Sequence, residues 1–118
     1  MVLYFYPKDE TPGCTKEACA FRDQYEVFKE AGAQVLGVSA DSPTSHRLFA
    51  AKYRLPFKLL SDADGTVRRL YGVTATLGLL PRRATFVIDR TGIVRHAFSS
   101  QFHPSQHIDE ALAALKTL

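Results

Sequence analysis

The two cysteines of this chain, Cys14 and Cys19, lie five residues apart near its N-terminus. Cys14 follows a polar loop that ends in Thr-Pro-Gly, and the residues after it have helical spacing. At the start of a helix, free backbone N–H groups and the positive end of the helix dipole favour a thiolate over a thiol. Because the thiolate is the nucleophilic form of cysteine, this position predicts a reactive Cys14 rather than a buried, inert one.

The elements that must position Cys14 begin with the apolar run from Val2 to Tyr6, which ends at Pro7 and is typical of a buried central strand. The pattern predicts further strands at 34–39, 57–60, 83–89 and 93–98, and helices at about 14–31, 43–53, a short stretch ending near 71, and from Pro104 or Ser105 onward. Residues 72–81 are expected to form a loop. Right-handed crossovers place strand 34–39 beside strand 2–6, with the terminal hairpin antiparallel on its other side. We therefore expect a single α/β domain over residues 1–118, with a thioredoxin-like mixed sheet flanked by helices and Cys14 beyond the carboxyl end of the central strand.

Within the predicted helices, Asp41 or Ser42 is expected to cap the second one, and Leu48, Phe49 and Tyr53 are expected to face the core.

Composition narrows the classes of function. The 118 residues fit one soluble domain, with 46% hydrophobic and 23% charged residues. The net charge of +3 is spread along the chain, so no nucleic-acid-binding stripe is predicted. No apolar run approaches the roughly 20 residues of a membrane span, and no signal-peptide pattern is seen. Two cysteines are too few for a disulfide scaffold, which favours redox chemistry in a reducing compartment, predicted to be the cytoplasm.

Residues 4–19 read YFYPKDETPGCTKEAC and resemble the active-site segment of the peroxiredoxins, which are thiol-dependent peroxidases. Within that family they are similar to the peroxiredoxin Q, or bacterioferritin comigratory protein, subfamily. The family pattern of proline, threonine and cysteine matches Pro7, Thr11 and Cys14, the subfamily's second cysteine matches Cys19, and the strand RATFVIDRTG places the family's arginine at Arg83. Members normally carry extra strands before the strand that begins here at Val2, so we expect the sheet edge and any assembly to depend on that segment.

The resemblance implies an antioxidant enzyme without cofactor or metal. Cys14 would attack hydrogen peroxide or an organic hydroperoxide and become a sulfenic acid, and Cys19 would resolve it as an intramolecular Cys14–Cys19 disulfide. Thioredoxin or a similar dithiol reductant would then recycle the enzyme, which is expected to be a monomer or a weak dimer.

Four further residues are assigned supporting roles. Thr11 is expected to place its hydroxyl near the thiolate and the incoming peroxide, and Pro7 to shape and shield the pocket. Arg83 would supply a fixed positive charge, whereas its neighbour Arg82 should point to the opposite face of the strand. Glu17 either orients Arg83 through a bidentate contact or only complements the helix dipole.

The spacing of the cysteines has a geometric consequence. In an intact helix, residues i and i+5 have Cα atoms roughly 8–9 Å apart, as follows from the helix radius and rise. A disulfide needs about 4.4–6.8 Å, so the bond between Cys14 and Cys19 requires local unwinding.

Other functions stay open at this point. A thiol–disulfide oxidoreductase would usually carry Cys-x-x-Cys, which this spacing does not provide, and a redox-sensing module without turnover is a third possibility. His103 and His107 have the spacing of helical metal ligands but no third ligand nearby in the sequence, so no zinc site is predicted.

Overall fold

A five-stranded mixed sheet forms the centre of the protein in the computed structural model, which describes residues 1–73, 75–76, 80–81, 83–100 and 103–118. The elements in chain order are β1 Val2–Phe5, α1 Pro12–Asp23, α2 Tyr25–Glu30, β2 Val35–Ser39, α3 Pro43–Tyr53, β3 Lys58–Ser61, α4 Thr66–Leu70, β4 Ala75–Thr76, β5 Leu80–Pro81, β6 Ala84–Ile88, β7 Val94–Ser99 and α5 Pro104–Leu115. The sheet order is β3-β2-β1-β6-β7, with β1 parallel to β2 and antiparallel to β6. The predicted central position of the first strand is confirmed.

Strand β1 is buried on both faces because its side chains enter two separate cores. Val2 and Tyr4 pack with Phe21 of α1 and with α2 and α5, whereas Leu3 and Phe5 pack on the opposite face of the sheet. Fully burying one such side chain stabilises a fold by roughly 1.5–3 kcal/mol, so this short strand fixes the layers around it. Its carboxyl end is thereby held rigidly next to the start of α1.

The first predicted helix is wrong in two details. It begins at Pro12 rather than Cys14, since proline fits the first helical position and Thr11 is extended. It is also two helices, because Gln24 leaves the helical conformation between α1 and α2. The buried residues Phe21 and Phe28 keep helical spacing across this break, which explains why the sequence pattern did not reveal it.

The buried face of α3 also differs from the prediction. Phe49 is buried as expected, but Leu48 was expected to point inward and is 68% exposed, and His46 is buried without having been predicted. Ser42 caps this helix as predicted, accepting a hydrogen bond from the Ser45 backbone N–H at 3.1 Å. The prediction was wrong at Leu48 and missed His46, because a histidine with buried polar partners can occupy a core position.

The remaining predictions concern the C-terminal half. The hairpin is confirmed as β6 and β7, turning at Gly92 with φ of +85°, and Ile108 of α5 is buried. The segment 72–81 is not entirely a loop, since β4 and β5 pair within it. Residues 74 and 77–79 of this segment lie outside the described residues.

No helix in the described part of the chain is long and apolar enough to cross a membrane.

Candidate active site

The sulfur of Cys14 is buried at the carboxyl end of β1, in the first turn of α1, with 1% of the residue exposed. Both terminal nitrogens of Arg83 point their N–H groups at it, with Nη1 and Nη2 each 3.6 Å from Sγ. A guanidinium stays charged at all physiological pH values, so the Cys14 sulfur lies beside a fixed positive charge.

Arg83 reaches Cys14 because β6 runs antiparallel to β1. Ala84, the next residue, pairs with Phe5 at the carboxyl end of β1, so the side chain of Arg83 projects toward the start of α1. Gly13 gives the guanidinium room, since a Cβ there would lie 3.0 Å from Arg83 Nη2. Sequence reasoning missed this role of Gly13, although a glycine directly before a reactive cysteine is a signal that could have suggested close approach. Arg82, predicted to face the other way, lies outside the described residues.

Glu17 lies one turn after Cys14 and is completely buried. Its Oε1 accepts a hydrogen bond from Arg83 Nη1 at 2.7 Å, so the carboxylate and the guanidinium are in direct contact. Its Oε2 has no hydrogen-bond partner within the described part of the chain. Of the two roles considered for Glu17, contact with Arg83 is therefore the one that the geometry supports.

The electrostatics of this pair follow from burial. Burial raises the pKa of Glu17 to about 8, even though the charge and hydrogen bond of Arg83 act to lower it. For Arg83, burial alone would lower the pKa, but the Glu17 and Cys14 side chains outweigh it and raise the pKa above its ordinary value. A carboxyl and a thiol thus share the field of one guanidinium in a site closed to water.

A buried histidine stands behind this pair. His107 Nδ1 is 2.7 Å from Thr85 Oγ1 and 3.7 Å from Glu17 Oε2, and Nε2 is 2.9 Å from the Ser100 carbonyl. Because a carbonyl only accepts, Nε2 carries the hydrogen and Nδ1 accepts from the threonine. Burial is the main cause that lowers the pKa of His107 to about 4, so the ring is neutral at pH 7. The sequence offered His107 only as a helical metal-ligand position, and nothing in it indicated this contact.

Thr11 and Pro7 lie in the loop between β1 and α1. The hydroxyl of Thr11 donates to the Lys8 carbonyl at 2.8 Å, so its proton is used within the loop and its oxygen can still accept a hydrogen bond. Pro7 directly follows the buried Tyr6 and is half-buried.

Cys19 is half-buried on the same helix as Cys14, and both thiols are free. The premise that the two residues share one continuous helix is confirmed, because α1 extends from Pro12 to Asp23. In this folded state the second thiol is held away from the first. The arrangement as a whole is a buried thiol, a fixed cation whose N–H groups point at it, and a second free thiol on the same helix.

Comparisons with known proteins find relatives of one kind by sequence and by structure. Residues 1–97 match the model of the AhpC/TSA family. A chloroplastic peroxiredoxin Q from Populus jackii is 58% identical over 119 aligned residues, covering 100% of this chain and 56% of that protein. The chain spans about half the length of the curated relatives it matches.

Solved structures of similar proteins agree with these sequence matches. The crystal structure of the peroxidoxin BcpB from Mycobacterium tuberculosis superposes with a TM-score of 0.91 at 46% identity, covering 99% of this chain and 78% of that one. A bacterioferritin comigratory protein from Xanthomonas campestris, studied for alkyl peroxide reduction, gives 0.90 at 41% identity over 98% of this chain and 77% of that one.

Proposed function

The chain belongs to the AhpC/TSA family and within it to the peroxiredoxin Q and bacterioferritin comigratory protein group, and on this premise we propose that it is a thiol peroxidase that uses Cys14 as its nucleophile. The observation that carries the proposal is the pair of 3.6 Å contacts from Arg83 to the Cys14 sulfur, with Glu17 holding the guanidinium at 2.7 Å. A cation placed there serves both the thiolate and the charge that develops when a peroxide bond breaks.

In the first step the Cys14 thiolate attacks one oxygen of the peroxide and the O–O bond breaks. The attacked oxygen stays on sulfur as a sulfenic acid, and the other oxygen leaves with a proton as water or an alcohol. The sulfur is oxidised by two electrons and the peroxide is reduced by two. We assign Arg83 to stabilise the negative charge of the thiolate and the negative charge that develops on the leaving oxygen.

Thr11 and Pro7 complete the proposed pocket. Since the Thr11 proton is committed to the Lys8 carbonyl, the free lone pairs of its oxygen can accept the hydrogen bond of a hydroperoxide O–H group. Pro7 contributes a ring and no N–H, which keeps competing donors and water away from the thiolate.

In the second step the Cys19 thiol attacks the sulfenic sulfur, water leaves, and the Cys14–Cys19 disulfide forms. A dithiol reductant of the thioredoxin type then returns both thiols. We propose hydrogen peroxide and organic hydroperoxides as substrates and a monomer or weak dimer as the working form. A reducing compartment suits this cycle; cytoplasm stays a prediction, since the plant relatives are named as chloroplastic.

The test is a coupled assay with thioredoxin, thioredoxin reductase and NADPH, run with hydrogen peroxide and with cumene hydroperoxide. Peroxide-dependent NADPH consumption that is lost in Cys14→Ser supports the proposal. An insulin reduction assay run in parallel covers the alternative of a thiol–disulfide oxidoreductase. Insulin reduction without peroxide turnover would reject the peroxidase, and inactivity in both assays would favour a redox-sensing module.

A further inference from the structure

A second buried polar cluster lies beside the proposed active site, centred on the Asp9 carboxylate. Asp9 belongs to the loop between β1 and α1, and only 2% of its side chain is exposed. It lies within hydrogen-bond distance of Tyr6 Oη at 2.6 Å, Ser45 Oγ at 2.8 Å and His46 Nδ1 at 2.8 Å. Two of these three partners come from α3, so the carboxylate ties the loop to that helix.

Both ring nitrogens of His46 face hydrogen-bonding oxygens. Nδ1 lies 2.8 Å from the Asp9 carboxylate, and Nε2 lies 3.1 Å from the Leu60 carbonyl. The buried contact of Asp9 with His46 therefore joins the loop to α3 and, through Leu60, to β3.

The backbone of the loop is tethered at the same point. The Asp9 N–H donates to Asp41 Oδ2 at 2.8 Å, and that oxygen also accepts from Ser39 Oγ at 2.6 Å. The next residue, Glu10, has φ of +68°, a left-handed conformation that is unfavourable for a residue with a Cβ. Such a conformation persists when the surroundings fix it, and the tethers at Asp9 provide that fixation.

The same atoms could suggest a cation site, since one ligand atom from each of Asp9, Asp41 and His46 lies within 4.8 Å of the others. That interpretation fails on the hydrogen bonds. Both nitrogens of His46 are occupied by acceptors, so the ring offers no lone pair to a metal. The cluster is a hydrogen-bonded anchor.

We propose that Asp9 and His46 are positioning residues that hold the loop carrying Pro7 and Thr11 in register with Cys14; this inference rests on the proposed peroxidase function. Asp9 lies midway between Pro7 and Thr11, and the Thr11 hydroxyl binds within the same loop at the Lys8 carbonyl. Movement of Asp9 would therefore displace the peroxide-binding groups. Arg83, directly before β6, would stay on the sulfur, since it is held by Glu17 of α1.

The test compares Asp9→Asn with Glu10→Gln. The first keeps the shape of the side chain and removes the charge that His46 faces. The second is a matched control in the same loop, because Glu10 makes an exposed ion pair with Lys52. Two quantities are measured by stopped flow and ultraviolet absorbance: the rate constant of Cys14 oxidation by peroxide, and the thiolate fraction at each pH.

For Asp9→Asn we expect a thiolate titration curve like that of the wild type and an oxidation rate per thiolate lower by roughly 10- to 100-fold, as for a misplaced binding group. The oxidation rate of Glu10→Gln should stay within about twofold of the wild-type rate, since exposed ion pairs contribute little. Ser45→Ala, which removes one hydrogen bond from Asp9 and no charge, should show an intermediate loss and keeps the test decisive if Asp9→Asn does not fold.

Wild-type rates in both Asp9→Asn and Ser45→Ala overturn the inference. Parallel loss of thiolate and rate also overturns it, because that pattern indicates general disruption of the site rather than misplacement of the loop. If the wild type itself does not reduce peroxide, the proposed function fails. Hydrogen exchange of amides 8–11 then tests whether Asp9 holds the loop in place. Those amides should exchange faster in Asp9→Asn than in the wild type, and unchanged exchange rejects the anchor.

Discussion

Replacement of Glu17 by glutamine should change how the stability of the reduced protein depends on pH. Glutamine keeps the shape and the carbonyl oxygen that Arg83 Nη1 contacts at 2.7 Å, but it cannot ionise. In the wild type, burial raises the pKa of Glu17 from 4.5 to about 8. Between these values the unfolded chain has lost the proton and the folded chain keeps it, so the wild type loses stability as pH rises.

The magnitude follows from the size of the shift. One pKa unit corresponds to roughly 1.4 kcal/mol, so a shift from 4.5 to about 8 gives about 5 kcal/mol in full. Between pH 5 and pH 8 the loss should be roughly 3–4 kcal/mol, since part of the titration lies outside that window. Relative to the wild type, Glu17→Gln should therefore gain stability steadily across it.

The assay is urea unfolding of both reduced proteins at several pH values from about 5 to 8, analysed as the difference between their free energies of unfolding. Other titrating groups, His107 among them, contribute to both proteins and largely cancel in that difference. A flat difference would show that Glu17 has no raised pKa. A difference of opposite slope would show that Arg83 holds Glu17 ionised, and the reasoning from burial would be refuted.

Three further predictions concern the proposed site. Cys14→Ser should abolish peroxide reduction in the thioredoxin-coupled assay, whereas Cys19→Ser should complete one turnover and then stop; equal residual activity would contradict their roles. Arg83→Ala should slow oxidation of Cys14 by roughly 100-fold in stopped flow, far more than Arg82→Ala. Because the pKa of His107 is lowered from 6.5 to about 4, its contribution to stability should fall by roughly 3 kcal/mol as pH drops from 6.5 to 4, and this should appear in urea titrations as the difference between the unfolding free energies of the wild type and His107→Gln, in which the opposing contribution of Glu17 largely cancels.

Local patterns sufficed to predict the main features of the site. The continuous apolar run at β1 and the helix after a Thr-Pro-Gly loop each leave a signal within a few residues, and together they place Cys14. The contact of Arg83 with Cys14 spans 69 residues, and it was expected only because the resemblance to the peroxiredoxins matched Arg83 to the family's arginine; antiparallel pairing of β6 with β1 then brings this residue to the carboxyl end of β1. The contact between these two residues was therefore expected before the structure was known.

Features that depend on side-chain partners distant in sequence were not predictable. His46 is buried because Asp9 and the Leu60 carbonyl satisfy its nitrogens, and neither partner is a sequence neighbour. The same holds for His107, whose partners come from β6 and the end of β7. Rules based on hydrophobicity place such residues outside, since they cannot anticipate a buried hydrogen bond formed by tertiary packing.

Formation of the Cys14–Cys19 disulfide should unfold the first turns of α1 and little else. Both cysteines lie in the continuous helix Pro12–Asp23, where their Cα atoms are too far apart for a disulfide. Farther along, Phe21 is fully buried and stacks on Tyr4 with ring centroids 4.6 Å apart, which resists further unwinding. Hydrogen exchange should therefore show lost protection within amides 14–22 of the oxidised protein, while β2 and β6 keep theirs. Unchanged protection in a sample shown by mass spectrometry to hold the intramolecular bond would mean that oxidised α1 finds another geometry, and the unwinding step would have to be abandoned.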